Sequence, residues 1–190
     1  MRRRHRFRKC SRRVRGDDTA GRGATDRRPR ARPVTPAQLR HLGLGASAID
    51  HRVAAGRLHV VHRGVYAVGH PWLDRPGRRM AAALACGPGA ALSHRTAADL
   101  WGLRQTAAAR IDVTVPTRAG RKPRSRIRVH RAQLASAEVT MVDGIPVTTV
   151  PRTLIDFAEA VPERSVERAL DEAEFLRLFD RHAIEAAIEE

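Results

Sequence analysis

Cysteine, lysine and aromatic side chains are scarce in this sequence of 190 residues, and it has no long apolar run. The two cysteines, Cys10 and Cys86, cannot form the disulfide framework of a small secreted domain, and no His/Cys cluster has the spacing of a zinc site. No apolar run approaches the roughly 20 residues that span a bilayer, and no apolar stretch follows the charged N-terminus as in a secretory signal. No glycine-rich phosphate loop precedes a predicted helix. We therefore expect a cytoplasmic protein that uses no membrane, metal or cofactor.

Arginine supplies nearly all of a large positive charge, because Lys9 and Lys122 are the only lysines. The formal net charge is +16, from 36 basic and 20 acidic residues. Residues 1–34 hold 14 basic and 3 acidic side chains, residues 35–150 hold 17 and 6, and residues 151–190 hold 5 and 11. The basic part of the chain predicts a polyanionic partner. Residues 1–33 show no apolar periodicity, so we expect a basic disordered arm there, or a wrongly chosen start codon.

Residues 34–70 begin with the pattern of two short helices. In "TPAQLRHLG", Thr35 is the expected N-cap, Leu39 and Leu42 share the inward face, and Gly43 ends the helix. The second helix is expected in "ASAIDHRVAAG", where the residues Ile and Val, spaced i and i+4, face inward and a glycine follows the last turn.

A β-hairpin is expected directly after the second helix. In "RLHVVHRGVYAVG", β-forming residues lie on both sides of "HRG", and Gly64 occupies the turn position that needs a left-handed backbone. Two short helices followed at once by a hairpin have the order of a winged helix-turn-helix.

Residues 71–190 predict a small mixed α/β domain that ends in acidic helices. A hairpin is expected at Asp143–Gly144, and Ser93 is the expected N-cap of a helix. The other expected elements are a loop at "HPWLDRPG", a helix at "RRMAAALACG", strands at "AALS", "RIDVTVP" and "IRVHRA", and helices at "PRTLIDFAEAV", "PERSVERALDEAEFLRL" and "DRHAIEAAIEE". The fold class is therefore α+β: an N-terminal winged helix-turn-helix, then a mixed α/β domain with C-terminal helices.

The chain from about residue 34 resembles the AbiEi-type antitoxin and transcriptional-regulator family of type IV toxin–antitoxin systems. The similar segments are "VTPAQLRHLGL", "SAIDHRVAAGRLHVVHRGVYAVGHP", "MAAALACGPGAALSHRTAADLWGL", "IDVTVP", "IRVHRA", "DGIPVTTVPRTLIDFA" and "ERALDEAEFLRL". The resemblance implies a winged helix that binds double-stranded DNA and a second, antitoxin-like domain. It also implies a regulator that represses its own operon and counteracts a cognate nucleotidyltransferase toxin.

The sequence departs from the family pattern in two places. Members usually have one more helix before "VTPAQL", but here "TDRRPRARP" has no apolar residue larger than Ala, so the first helix of the winged helix is expected to be missing. Many members also carry a Vsr-like endonuclease domain at the C-terminus, and the sequence up to Glu190 is expected to stop before such a domain. An alternative function is therefore a DNA-targeting fragment of an endonuclease-related protein whose catalytic domain is absent. A third is a degenerate relic without a complete DNA-binding domain.

The second helix is the candidate recognition helix, because its outer face carries polar side chains that can contact base edges. That face is expected to present Ser47, Asp50, His51 and Arg52. The hairpin is the candidate wing, and its expected DNA contacts are Arg57, His62 and Arg63. The alternatives are an ordinary solvated helix face and an ordinary polar turn.

A basic loop is a second candidate contact region, for DNA phosphate or for an acidic partner. Its charged residues are Arg118, Arg121, Lys122, Arg124 and Arg126. A solvated loop without a partner explains the same composition.

No residue pattern predicts catalysis. Ser93 and His94 are adjacent, which rarely gives the geometry of a nucleophile and its base, so N-capping by Ser93 is the preferred interpretation. Asp112 has no lysine in the context that metal-dependent nucleases use. Tyr66 and Trp101 lie in apolar patterns and are expected in the core rather than stacked on bases. We therefore expect no enzyme activity.

Overall fold

The structure is a computed structural model that describes residues 31–116 and 126–189. Within these residues the chain has a mixed helix and sheet architecture with two β-sheets, which confirms the predicted α+β class. The N-terminal elements are β1 (Pro33–Val34), α1 (Pro36–His41), α2 (Ala46–Ala54), β2 (Leu58–His62) and β3 (Val65–Val68). Their three strands form an antiparallel sheet in the order β1-β3-β2.

Residues 1–30 of the expected basic arm lie outside the described residues. Its last part is ordered into the domain, since Ala31 is buried and Pro33 begins β1. In β1, Val34 pairs with Tyr66 of β3. Of the segment in which the first helix is expected to be missing, residues 25–30 lie outside the described residues, and Pro33 at its end belongs to β1.

Helix α1 begins where the sequence predicts, and its cap is stronger than expected. The Thr35 hydroxyl accepts a hydrogen bond from the Gln38 backbone N–H at 3.3 Å, and the Gln38 side chain accepts one from the Thr35 N–H at 2.8 Å. Leu39 is buried, but Leu42 is 75% exposed, so the prediction that both face inward is wrong. Leu42 follows the last helical residue, and the left-handed turn at Gly43 (φ +82°) directs Leu44 into the core instead.

A small core holds α1 and α2 against one face of the three-stranded sheet. Its buried members are Leu39, Ile49 and Leu58, and the partly buried side chains around them are Val34, Leu44, Val53 and Tyr66. Strand β1 therefore contributes a wall of this core. Tyr66 packs here, as expected from its apolar neighbours.

The second sheet has five strands in the order β6-β5-β4-β8-β7. Strands β5 and β6 run parallel, as do β4 and β8, and the other pairs are antiparallel. The predicted hairpin turn is confirmed at Asp143 (φ +52°) and Gly144 (φ +76°). The elements of this part are α3 (Arg75–Cys86), β4 (Ala91–Leu92), α4 (His94–Leu100), β5 (Ile111–Val115), β6 (Ile127–Arg131), a 3₁₀ turn (Ser136–Glu138), β7 (Val139–Val142), β8 (Ile145–Thr148), α5 (Val150–Ala160), α6 (Glu163–Phe175) and α7 (Arg181–Glu189).

Helix α3 begins at Arg75, three residues before the expected start, because Asp74 acts as its N-cap. The Asp74 carboxylate accepts a hydrogen bond from the Gly77 N–H at 2.8 Å, and Pro76 fits the first turn, where no N–H partner is needed. The segment expected to be a loop is correspondingly shorter.

Helix α3 also joins the two sheets, since it contacts strands of both. Val65 of β3 is fully buried in the same apolar cluster as Ala81 of α3, Leu92 of β4 and Val113 of β5. The winged-helix unit (β1 to β3, with α1 and α2) and the α/β unit (α3 to α7) therefore share one hydrophobic core. Asp99 of α4 also forms ion pairs with two arginines of α3. Its carboxylate pairs with Arg79, and it lies 2.6 Å from the guanidinium of Arg75.

A second core lies where α4, α5, α6 and α7 pack together. Leu154 and Phe157 of α5 and Ala169 and Ala173 of α6 are among its buried residues. Trp101 packs against both cores and donates its indole N–H to the Thr148 carbonyl at 2.9 Å, so the expected core role of Trp101 is confirmed.

Candidate nucleic-acid interface

Helix α2 exposes a continuous polar face above a buried apolar one. Ile49 is only 4% exposed and Val53 is half-buried, which leaves Ser47, Asp50 and His51 on the solvent side. The helix starts after Gly45 without a side-chain cap, and Gly56 (φ +67°) follows its last turn. Three of the four candidate residues are therefore exposed to solvent on α2.

Arg52, the fourth candidate on α2, is held against its own helix. It is half-buried, and its Nη1 donates to the Ala48 carbonyl at 2.9 Å. A contact between Arg52 and a base would require this hydrogen bond to open. The spacing of the sequence places Arg52 beside the outer face but does not reveal this bond.

The candidate wing is the hairpin of β2 and β3, which turns at residues 63 and 64. Arg63 is exposed at this turn, His62 is half-buried beside it, and Gly64 has the expected left-handed backbone (φ +77°). Arg57 is exposed at the base of the hairpin, where its carbonyl accepts a hydrogen bond from the Gly69 N–H at 2.9 Å. Two exposed guanidinium groups thus lie at opposite ends of the hairpin.

Most of the candidate basic loop lies outside the described residues, namely Arg118, Arg121, Lys122 and Arg124. Arg126 is described and exposed at the start of β6, where its carbonyl accepts a hydrogen bond from the Ile111 N–H at 2.9 Å. Its backbone is left-handed, with φ +65°.

The structure also contains a buried polar cluster that the sequence interpretation missed. The predicted N-cap position of Ser93 at the start of α4 is confirmed, but the capping hydrogen bond expected from its hydroxyl is not formed. Instead the Ser93 Oγ accepts from the Thr114 hydroxyl at 2.8 Å and lies 2.9 Å from His94 Nδ1. Adjacent Ser and His therefore do reach hydrogen-bond distance here, and His94 has a left-handed backbone (φ +49°).

Two imidazoles and two carboxylates complete this buried polar cluster. The His94 and His130 rings stack with centroids 3.5 Å apart, and His130 Nε2 lies 3.0 Å from Asp112 Oδ1. Asp156 Oδ1 accepts from Arg152 Nε at 2.8 Å, and Asp156 Oδ2 lies 3.8 Å from His94 Nδ1. Burial, then the charge of His130, lowers the pKa of His94 to about 4, and burial raises the pKa of Asp156.

This buried polar cluster lacks the features of a catalytic site. Ser93 is fully buried and His94 is 6% exposed, so a substrate cannot reach the hydroxyl. Within residues 31–116 and 126–189, no group of three or more His, Cys, Asp or Glu side chains is arranged to hold a metal ion. The sequence signal for the cluster is the alternation of polar residues in two strands that prove to be parallel neighbours, with Asp112 opposite Arg128 and Thr114 opposite His130.

Two family models together match most of the chain. A family model described as a transcriptional regulator, AbiEi antitoxin, matches residues 30–69, and one described as the AbiEi antitoxin C-terminal domain matches residues 89–189. The first match spans β1 to β3, and the second spans the five-stranded sheet and the C-terminal helices. No curated protein matches the chain. No helix in the described part of the chain is long and apolar enough to cross a membrane.

Proposed function

The chain belongs to the AbiEi antitoxin family of transcriptional regulators, and on that premise we propose that its winged-helix unit binds double-stranded DNA and represses its own operon. In this proposal α2 enters the major groove and the turn between β2 and β3 contacts the phosphate backbone. A protein with this role acts in the cytoplasm. The observation that carries the proposal is the face of α2, where Ser47, Asp50 and His51 are exposed directly above buried Ile49.

The distribution of charge along the chain also supports a DNA interface formed by α2 and the hairpin. Arg57 and Arg63 give the hairpin two exposed cations, and the acidic excess lies beyond residue 150, in α5 to α7. Phosphate contacts by arginine fix the position of a protein on DNA, whereas contacts to base edges carry sequence information. We therefore assign specificity to α2 and general affinity to the hairpin.

A competition titration separates these two roles. Full-length protein is titrated with promoter DNA of its own operon and with a shuffled duplex of the same composition at fixed salt. His51→Ala should weaken promoter binding more than shuffled binding, by about 5- to 150-fold, since a base contact contributes roughly 1–3 kcal/mol. Arg63→Ala should weaken both about equally.

Arg164→Ala is the matched control, because Arg164 is an exposed arginine on the acidic helix α6. Binding by this variant should equal that of the unmodified protein. Promoter binding that is unchanged in both His51→Ala and Arg63→Ala would refute the proposed interface.

We further propose that the α/β unit counteracts a nucleotidyltransferase toxin encoded beside this chain. The family match to an antitoxin C-terminal domain over residues 89–189 supports this role. Co-expression should restore growth to cells that produce the neighbouring nucleotidyltransferase. Growth arrest that persists despite soluble expression of both proteins would refute the antitoxin role for that toxin.

A further inference from the structure

An open cleft of about 920 Å³ lies between the winged-helix unit and the α/β unit. One wall is the start of α1 together with the turn at Arg63 and Gly64. The opposite wall is the end of α3, the turn at residues 87–89, and the chain between β6 and β7. Ligand pockets in proteins have volumes of roughly 300–1,000 Å³ and form preferentially at such junctions.

The cleft has an unequal distribution of charge. The only charged residues among the described ones that line it are Arg40 and Arg63, both on the winged-helix wall. The α/β wall is mainly apolar and includes Leu84, Leu134 and Val139. A matching ligand therefore has an anionic group at one end and an apolar body at the other.

The C-terminal end of helix α3 favours the same orientation of the ligand, with its anionic group near the arginines. Helix α3 has 12 residues and ends at the cleft, and the partial negative charge of a helix C-terminus disfavours an anion nearby. An anionic group would thus lie near the arginines, with the apolar body against the end of α3. Gly89 keeps this wall compact, because a Cβ there would lie 2.9 Å from the Pro116 ring.

We propose that this cleft binds an organic anion with an apolar body, and that its occupancy weakens DNA binding by engaging the wing residue Arg63. The second part rests on the proposed DNA-binding function, because Arg63 is both a cleft residue and the assigned phosphate contact. The ligand and a DNA phosphate then compete for one guanidinium.

Binding is tested on the full chain, labelled with ¹⁵N, using three eight-carbon probes and acetate. Octanoate and octyl phosphate should bind at one site and shift the amide signals of Gly64, Leu84 and Val139. Octanol, which lacks the charge, and acetate, which lacks the apolar body, should bind at least about fivefold more weakly. The two anionic probes distinguish a carboxylate ligand from a phosphate ligand. Equal affinity for octanoate and octanol, or no shifts at the cleft, would overturn the proposal.

Arg40→Gln is the diagnostic variant, because Arg40 lines the cleft and is not among the assigned DNA contacts. It should weaken octanoate binding by about two- to fivefold, as expected for a partly exposed charge pair. Arg78→Gln is the matched control, since Arg78 is exposed on α3 outside the cleft lining. Equal octanoate affinities in the two variants would contradict the assignment.

The coupling is tested by titrating promoter DNA at saturating octanoate and at the same concentration of octanol. Octanoate should reduce the DNA affinity of the unmodified protein and leave that of Arg63→Ala unchanged. The coupling would be overturned if the protein binds both DNA and octanoate and its DNA affinity is the same with and without octanoate. Failure to bind DNA at all would instead refute the proposed function, while the titrations with octanoate would still test whether the cleft binds a ligand.

Discussion

Acidification should destabilise the folded protein through the imidazole of His94, which is 6% exposed. Its pKa is lowered to about 4 in the folded state by burial and then by the nearby charge of His130. In the unfolded chain, the pKa of histidine is about 6.5. The unfolded state therefore binds more protons between these two values, so stability falls as the pH drops below about 6.5 and levels off below about 4.

The size of this effect follows from the two pKa values. Linkage between them gives a loss of about 2 kcal/mol in the free energy of unfolding between pH 7.5 and pH 5. Asp112 opposes the shift, whereas Arg152 and Arg95 add to it. Asp156 acts in the opposite direction, because its pKa is raised in the fold and folding therefore favours its protonated form. A comparison with a variant that lacks the imidazole isolates the contribution of His94.

His94→Asn is that variant. Asparagine tolerates the left-handed backbone at this position (φ +49°) and keeps a side-chain acceptor for the Ser93 hydroxyl. Urea unfolding at pH 7.5 and pH 5 should show a loss of stability that is about 2 kcal/mol larger in the unmodified protein than in His94→Asn. His182→Asn is the matched control, because the His182 side chain is 96% exposed, and it should retain the full loss. Equal pH dependence in His94→Asn and in the unmodified protein would refute the reasoning.

Three further predictions concern the fold and the expectation that the protein has no nuclease activity. Ile49→Asp should unfold α1 and α2, because it places an unpaired charge in the small core at a residue 4% exposed; amide signals of residues 35–60 that stay dispersed would contradict this. Asp99→Asn should cost about 3 kcal/mol of stability, measured by urea unfolding, because it leaves the buried Arg79 guanidinium without its counterion; a cost below about 1 kcal/mol would show that Arg79 finds another partner. Purified protein should not cleave nucleic acid with magnesium or manganese, and cleavage that disappears in Asp112→Asn would contradict this prediction.

Local sequence determined where most elements begin and end. The glycines at residues 43, 56 and 64 and the Asp143–Gly144 turn each adopt a positive φ, which few other residue types tolerate, so their effect acts within the turn itself. Thr35 and Asp180 likewise cap helices through bonds to residues three positions away. The order of two helices and a hairpin, and hence the candidate DNA-binding face, could therefore be predicted from the sequence.

Only the tertiary structure decided which distant segments meet. Strand β1 is two residues long, and its pairing with β3 depends on the packing of Val34 rather than on local propensity. Leu44 rather than Leu42 packs in the small core. Helix α3 contacts strands of both sheets, and Ala81, Ala82 and Ala83 are buried at consecutive positions around it. His94 and His130 are 36 positions apart in the sequence and stack because parallel pairing sets Thr114 beside His130, while the Thr114 hydroxyl bonds Ser93 next to His94. Caps and turns act over a few residues and can therefore be predicted from local sequence. The buried polar cluster and the cleft between the winged-helix unit and the α/β unit arise from sheet register and core packing, which no single segment of the sequence encodes.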